Sequence, residues 1–164
     1  MKTFELVKTQ IIDSSMESVF DFFSKPENLK TITPAKLSFN IITPTPILMG
    51  KGTVIDYTIR LFKIPIHWRT LITKYDPPHE FIDEQIKGPY NFWHHTHKFK
   101  QVDGGVEISD KVIYSIPMGI IGQVLHFLWI KRDLEKIFLY RKRVIEDLLV
   151  HNISNRKNDF EREK

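Results

Sequence analysis

The stretch from Asn91 to Phe99, NFWHHTHKF, sets three histidines within four residues between large aromatics. An imidazole near neutrality can move protons, ligate a metal or anchor a polar ligand. On an extended strand the side chains alternate, which separates Trp93, His95, His97 and Phe99 from Phe92, His94, Thr96, Lys98 and Lys100. Two lysines resist burial, so the second set is expected on the wet face and the first inside. The following run obeys the same logic: Val106, Ile108, Asp110, Val112, Tyr114 and Ile116 form an apolar set interrupted by one carboxylate. An inward Asp is costly unless paired. His95 and His97, joined to it through the turn Asp103-Gly104-Gly105, are its expected partners. Such a contact raises the histidine pKa and lowers that of the aspartate, against the effect of desolvation.

Four uses of this constellation are open. As a metal site, an H-x-H pair on one strand supplies two ligands and Asp110 a third. No further histidine motif follows, and His67, His79 and His126 are distant in sequence, so no metal or other cofactor is expected. As a catalyst, His95 or His97 would act as base with Asp110 orienting it, in an aldol cyclisation, a dehydration or a hydrolysis. As a binding site, Tyr57, Trp68, Trp93, Phe99 and Tyr114 would form apolar walls with polar tips around a ligand anchored by the His/Asp cluster. As plain core, the same groups would satisfy one another. A covalent hydrolase finds no G-x-S-x-G, MGKGT lacks the phosphate-loop spacing, and the chain has no cysteine to serve as thiol nucleophile or thiolate ligand.

The elements that must position these residues follow from hydrophobic period. Phe4 to Ile12 reads as a strand. DSSMESVFDFF starts a helix capped by Ser14 or Ser15, with Val19, Phe20 and Phe23 on one face, and Pro26 opens a second short helix that ends by Pro34. Six strand-like runs follow: LSFNIIT, TVIDYTIRLF, IPIHWRTLITKY, EFIDEQIKG, NFWHHTHKFKQV and GVEISDKVIYSI. Their separators are short turns, which implies antiparallel neighbours. In EFIDEQIKG, Phe81, Asp83 and Gln85 compete with Ile82, Glu84 and Ile86 for the interior. A helical pattern runs from about Ile121 to Val150, and the polar residues 151–164 are expected to fray. The predicted fold is α+β: one domain over 1–150, a curved seven-stranded antiparallel sheet covered by the long helix.

The chain has 164 residues, twelve Phe, five Tyr, three Trp and a net charge of +4. That length buries about 70% of the unfolded surface. The basic residues Lys131-Arg132 and Arg141-Lys142-Arg143 alternate with acids, which predicts a solvated helix face rather than a nucleic-acid stripe. No signal pattern opens the chain, so a soluble cytoplasmic protein is expected. GIIGQVLHFLWI is apolar nearly all round but shorter than the roughly twenty residues of a membrane span. Burial under the sheet and loops is the favoured reading, against a lid on a cavity or a transient membrane contact.

The phrase FIDEQIKGPYNFWHHTHKFKQVDGGVEISDKVIYSIPMG resembles a bacterial branch of the SRPBCC superfamily, which includes START-like lipid-transfer domains, birch-pollen-allergen-like proteins and polyketide cyclase/dehydrase relatives. The pattern is F-x-D-x-Q, GPY, W-x-H-x-H-x-F, D-G-G, D-x-V-x-Y and P-x-G. MESVFDFFSKPENLKTITP and IFLYRKRVIEDLL are similar to its N-terminal helix pair and the end of its long helix. The resemblance implies a helix-grip fold with a cavity for a small hydrophobic ligand, lipid or polyketide-like. It also implies that Asp83 and Gln85 face inward to join His95, His97 and Asp110. A binding protein without catalysis is the reading it favours, a cyclase or dehydratase the alternative.

Overall fold

The computed structural model describes residues 2–61 and 63–162, with side chains as far as Val150. In chain order the elements are β1 (Phe4–Ile12), α1 (Met16–Phe23), two 3-10 turns (Pro26–Lys30 and Ala35–Leu37), β2 (Asn40–Ile41), β3 (Val54–Leu61), β4 (Ile64–Asp76), β5 (Glu80–Lys87), β6 (Phe92–Val102) and β7 (Gly105–Ser115). Then come α2 (Gly119–Leu125), one π turn (His126–Ile130) and α3 (Lys131–Arg162). The strands form one antiparallel sheet in the order β1-β7-β6-β5-β4-β3-β2. Strands β2 to β7 therefore run as a meander, and β1 closes on its last member. This is the α+β arrangement that the hydrophobic period predicts.

Local chemistry sets the boundaries. Ser15 caps α1, its Oγ accepting from the Ser18 amide at 3.2 Å, and α1 buries Val19 and Phe20 against the sheet. The predicted strand over Leu37–Thr43 shortens to Asn40–Ile41, because Ala35–Leu37 forms a 3-10 turn closed by Ser38 in the left-handed region. The C-terminal helix differs from its predicted span at both ends: α2 begins at Gly119, after Met118 at φ 73, and α3 continues past Val150 to Arg162. On α3, Leu134, Phe138 and Ile145 are buried at helical spacing and form the stripe that faces the sheet.

The apolar segment before α3 is not buried, contrary to the favoured reading. Gly122 and His126 are its buried residues, one turn apart. Ile120 is 79% exposed, Phe127 78% and Trp129 58%. A helix that lies on a sheet edge with no layer above it can hide one stripe and no more. Here that stripe is fixed by close approach: a Cβ on Gly122 would overlap the carbonyl oxygen of Pro117. His126 completes it by stacking on Phe4 with ring centroids 3.6 Å apart and by a 2.8 Å hydrogen bond between its Nε2 and the Tyr114 hydroxyl. No helix among the described residues is long and apolar enough to cross a membrane.

Candidate functional site

Strand register brings the polar cluster together. Asp83 of β5 lies opposite His95 of β6, and His97 of β6 opposite Asp110 of β7. Directly opposed and diagonal neighbours on one face are both within side-chain reach. Each imidazole thus bridges both carboxylates. His95 places Nδ1 3.4 Å from Asp83 Oδ2 and Nε2 3.2 Å from Asp110 Oδ1. His97 places Nε2 2.9 Å from Asp83 Oδ2 and Nδ1 2.7 Å from Asp110 Oδ1. The two rings lie between the acids with centroids 3.8 Å apart. The His97 Nε2–Asp83 contact is a hydrogen bond, whereas the His97 Nδ1–Asp110 contact lies outside hydrogen-bond geometry.

The protonation pattern follows from burial and from these pairings. Burial opposes ionisation of Asp110, but the charge of His97 beside it and the hydrogen bond from His95 outweigh it and hold the carboxyl well below the usual range. Asp83 is lowered in the same way, against burial, by His95, His97 and the more distant Arg141. Burial also opposes charging of His97, yet Asp110 and Asp83 beside it push its pKa up. His95 moves down, because burial and the charge on His97 outweigh the acids. Within the group the two carboxylates resist protonation, and a shared proton favours His97 over His95.

Beside this cluster is a cavity of about 170 Å³ between the sheet and α3. Of the residues singled out in the sequence, Asp83, His95, His97, Trp93, Tyr57 and Trp68 line it. The remaining candidates sit elsewhere. Gln85 is turned to the β5–β6 connection, donating from Nε2 to the Tyr90 carbonyl at 2.7 Å and accepting from its amide at 3.3 Å. It clamps that turn and does not join the cluster. Phe99 packs among Phe20, Phe23 and Phe81 in the core beyond the cavity. Tyr114 lies behind Trp93 and bonds His126, its phenol pushed up by burial to about 12. Asp110 stands behind the two imidazoles rather than on the cavity wall.

Several lining residues are not among the candidates of the sequence reading, and Arg141 matters most of them for its charge. Arg141, assigned there to a solvated basic face, lines the cavity and sits over the Phe138 ring at 5.3 Å. The signal was present: Leu134, Phe138, Arg141 and Ile145 recur at i, i+4, i+7 and i+11, which places the arginine on the sheet-facing stripe of α3. Its charge drew the reading outward, although a long basic side chain packs its stem inside readily.

Comparison with known proteins finds no matching family model and no matching curated sequence. Solved structures do match. TTHA0849 from Thermus thermophilus superposes with a TM-score of 0.70 at 15% identity, over 87% of this chain and 94% of that one. The di-domain ARO/CYC StfQ from the steffimycin biosynthetic pathway gives 0.71 at 10% identity, over 93% of this chain but 52% of that one, so this chain spans about half of it. Ara h 8.0201 gives 0.62 at 14% identity, over 90% and 98%. The chain has the helix-grip fold that these proteins share.

Proposed function

We propose that the protein binds a small amphiphilic molecule, apolar over most of its surface and carrying hydrogen-bond acceptors at one end, in the cavity between sheet and α3. The observation that carries this reading is an apolar hollow whose walls hold unsatisfied donors. Trp68 Nε1 and Arg141 Nε are buried without a hydrogen-bond partner, and both side chains line the cavity. An unpaired buried polar group costs about 1–3 kcal/mol, which a ligand oxygen placed there would offset. A hollow of roughly 150 Å³ takes a single benzene-sized ring. A ring-sized end therefore enters, and any longer chain leaves past Lys25, which is on the wall and largely exposed.

Native mass spectrometry of protein purified from its host tests this reading, with a co-purifying apolar species expected. Arg141→Gln should weaken binding of that species about tenfold, as loss of one hydrogen bond to a charged group does. Exposed Arg143→Gln should leave it unchanged. Protein that is always empty, or equal affinities in both variants, opposes the reading.

A cyclase or dehydratase reading is favoured by one specific observation: two imidazoles bridged by the same two carboxylates share the cavity wall, His95 pushed down by burial and His97 pushed up by the acids. His95 is then the base and His97 the acid, with Asp110 orienting both. His95→Gln should abolish turnover of a poly-β-ketone probe while leaving its binding intact. A helix-grip neighbour described as an ARO/CYC lends support to that probe class.

The exposed apolar segment supports contact with an anionic lipid surface during loading. Lys2 and Lys131 lie close enough to influence His126 within it, and Arg132 follows directly. A cationic rim beside an apolar patch complements an anionic bilayer better than it does a purely apolar partner.

A further inference from the structure

The geometry points to a divalent transition-metal site: Asp83, His95 and His97 bind one ion at the polar wall of the cavity, with Asp110 as the carboxylate that orients both imidazoles from behind. The site goes beyond the ligand reading and does not depend on it, since the ion would sit in the wall whether or not an apolar molecule fills the hollow.

Three features support it. The first is donor placement. Asp83, His95 and His97 each offer a ligand atom, all within 4.8 Å of one another. Asp83 Oδ2 lies 3.4 Å from His95 Nδ1 and 2.9 Å from His97 Nε2. Edges of that length suit an ion about 2.0–2.2 Å from each atom. The second is the division of ring nitrogens. The nitrogens near Asp83 belong to the cavity wall; the opposite ones, His95 Nε2 and His97 Nδ1, lie 3.2 Å and 2.7 Å from Asp110 Oδ1. An imidazole that ligates a metal through one nitrogen and meets a carboxylate through the other is a recurring outer-shell arrangement. Here one aspartate serves two rings.

The third feature is charge: Asp83 and Asp110 bring two carboxylates against the same two rings inside the protein, and a divalent ion would balance them directly. A donor set of two nitrogens and one oxygen selects the zinc, iron, cobalt and nickel group over magnesium or calcium, which prefer all-oxygen shells. The cavity side leaves the fourth position open to a small molecule.

The test uses the full chain, stripped with chelator and titrated with Co²⁺ by visible absorption and with Zn²⁺ by calorimetry. One ion per chain is expected, with tetrahedral or five-coordinate Co²⁺ bands. Asp83→Asn and His97→Gln should abolish the bands, Asp110→Asn should weaken binding 10- to 100-fold at unchanged stoichiometry, and His94→Gln, on the opposite face, should change nothing. Where a variant fails to fold, X-ray absorption of the wild-type zinc complex decides, two imidazole ligands being expected. Absence of a 1:1 complex, or a complex indifferent to His97→Gln or lacking imidazole ligands, overturns the site. An apolar fluorescent probe read on the same samples separates the two readings: probe bound with no ion taken up overturns the metal site alone.

Discussion

Asp83, His95, His97 and Asp110 exchange contacts so closely that their protonation belongs to the group rather than to any member. The shifts fix how stability should vary with pH. His97 is raised, so its contribution is complete below the unfolded value of about 6.5 and is lost as pH climbs through the higher folded one. His95 is lowered, so stability falls as pH drops from about 6.5 toward its depressed folded value, because the unfolded chain takes up the proton first. The two carboxylates, also lowered, contribute fully above about 3.9 and lose that contribution only in strong acid. The melting temperature is thus expected to peak near pH 6.5. In wild-type protein, nitrogen-15 NMR should find His97 charged above that pH and His95 neutral below it. Asp110→Asn removes the strongest support of the His97 charge. It should pull the alkaline limb to lower pH and cost about 3–5 kcal/mol, as breaking a buried pair does. Two imidazoles titrating together near their ordinary value would contradict this account. The pair was legible in the sequence because Lys98 and Lys100 exclude one face of β6 and leave the other no choice. Asp83 was ambiguous from period alone, since both faces of β5 mix acids with isoleucine or phenylalanine, and the family resemblance assigned it inward.

The β6–β7 hairpin is the element that holds His97 against Asp110, and its register depends on a turn that glycine alone tolerates. Gly104 and Gly105 have φ of 88° and 131°, both in the region that L side chains avoid. Their surroundings differ: a Cβ on Gly104 meets nothing within 4 Å, whereas one on Gly105 overlaps the carbonyl oxygen of Ile12 in β1. Gly104→Ala should therefore cost about 1 kcal/mol from backbone strain alone. Gly105→Ala should cost at least about 2 kcal/mol, because β1 cannot withdraw without loosening its pairing with β7. Thermal melts of the two variants check the order, and equal costs would show that the approach of β1 relaxes cheaply. The antiparallel pairing of β3 to β7 was readable because short turns join each of these strands to the next. The exposed α2 and the inward Arg141 were not, for one reason: residue type was allowed to decide the side. An all-round apolar helix lacks the contrast that marks a face, and a basic residue on a buried stripe contradicts the expected one.

The whole molecule has two apolar features facing different ways, a hollow between sheet and α3 and an open patch on α2 and the π turn. No residue from 118 to 130 lines the cavity, so the patch is not its lid. A monomer that exposes Ile120, Phe127 and Trp129 together invites association, and the flanking Lys2, Lys131 and Arg132 select what associates. Three cations near an anionic surface contribute about 1 kcal/mol each, roughly a hundredfold in partitioning. Inserting one large aromatic contributes about 1.5–3 kcal/mol. Vesicle co-sedimentation should accordingly show binding to mixed phosphatidylglycerol–phosphatidylcholine membranes that weakens about a hundredfold on pure phosphatidylcholine. Phe127→Ser should lower it by a further factor of about ten or more without changing the melting temperature, since that side chain is largely exposed. Sedimentation equilibrium run beside it distinguishes the competing occupant. A dimer that the same substitution dissolves, with no vesicle binding at any charge, would assign the patch to a second copy of the chain and remove the lipid surface from this account.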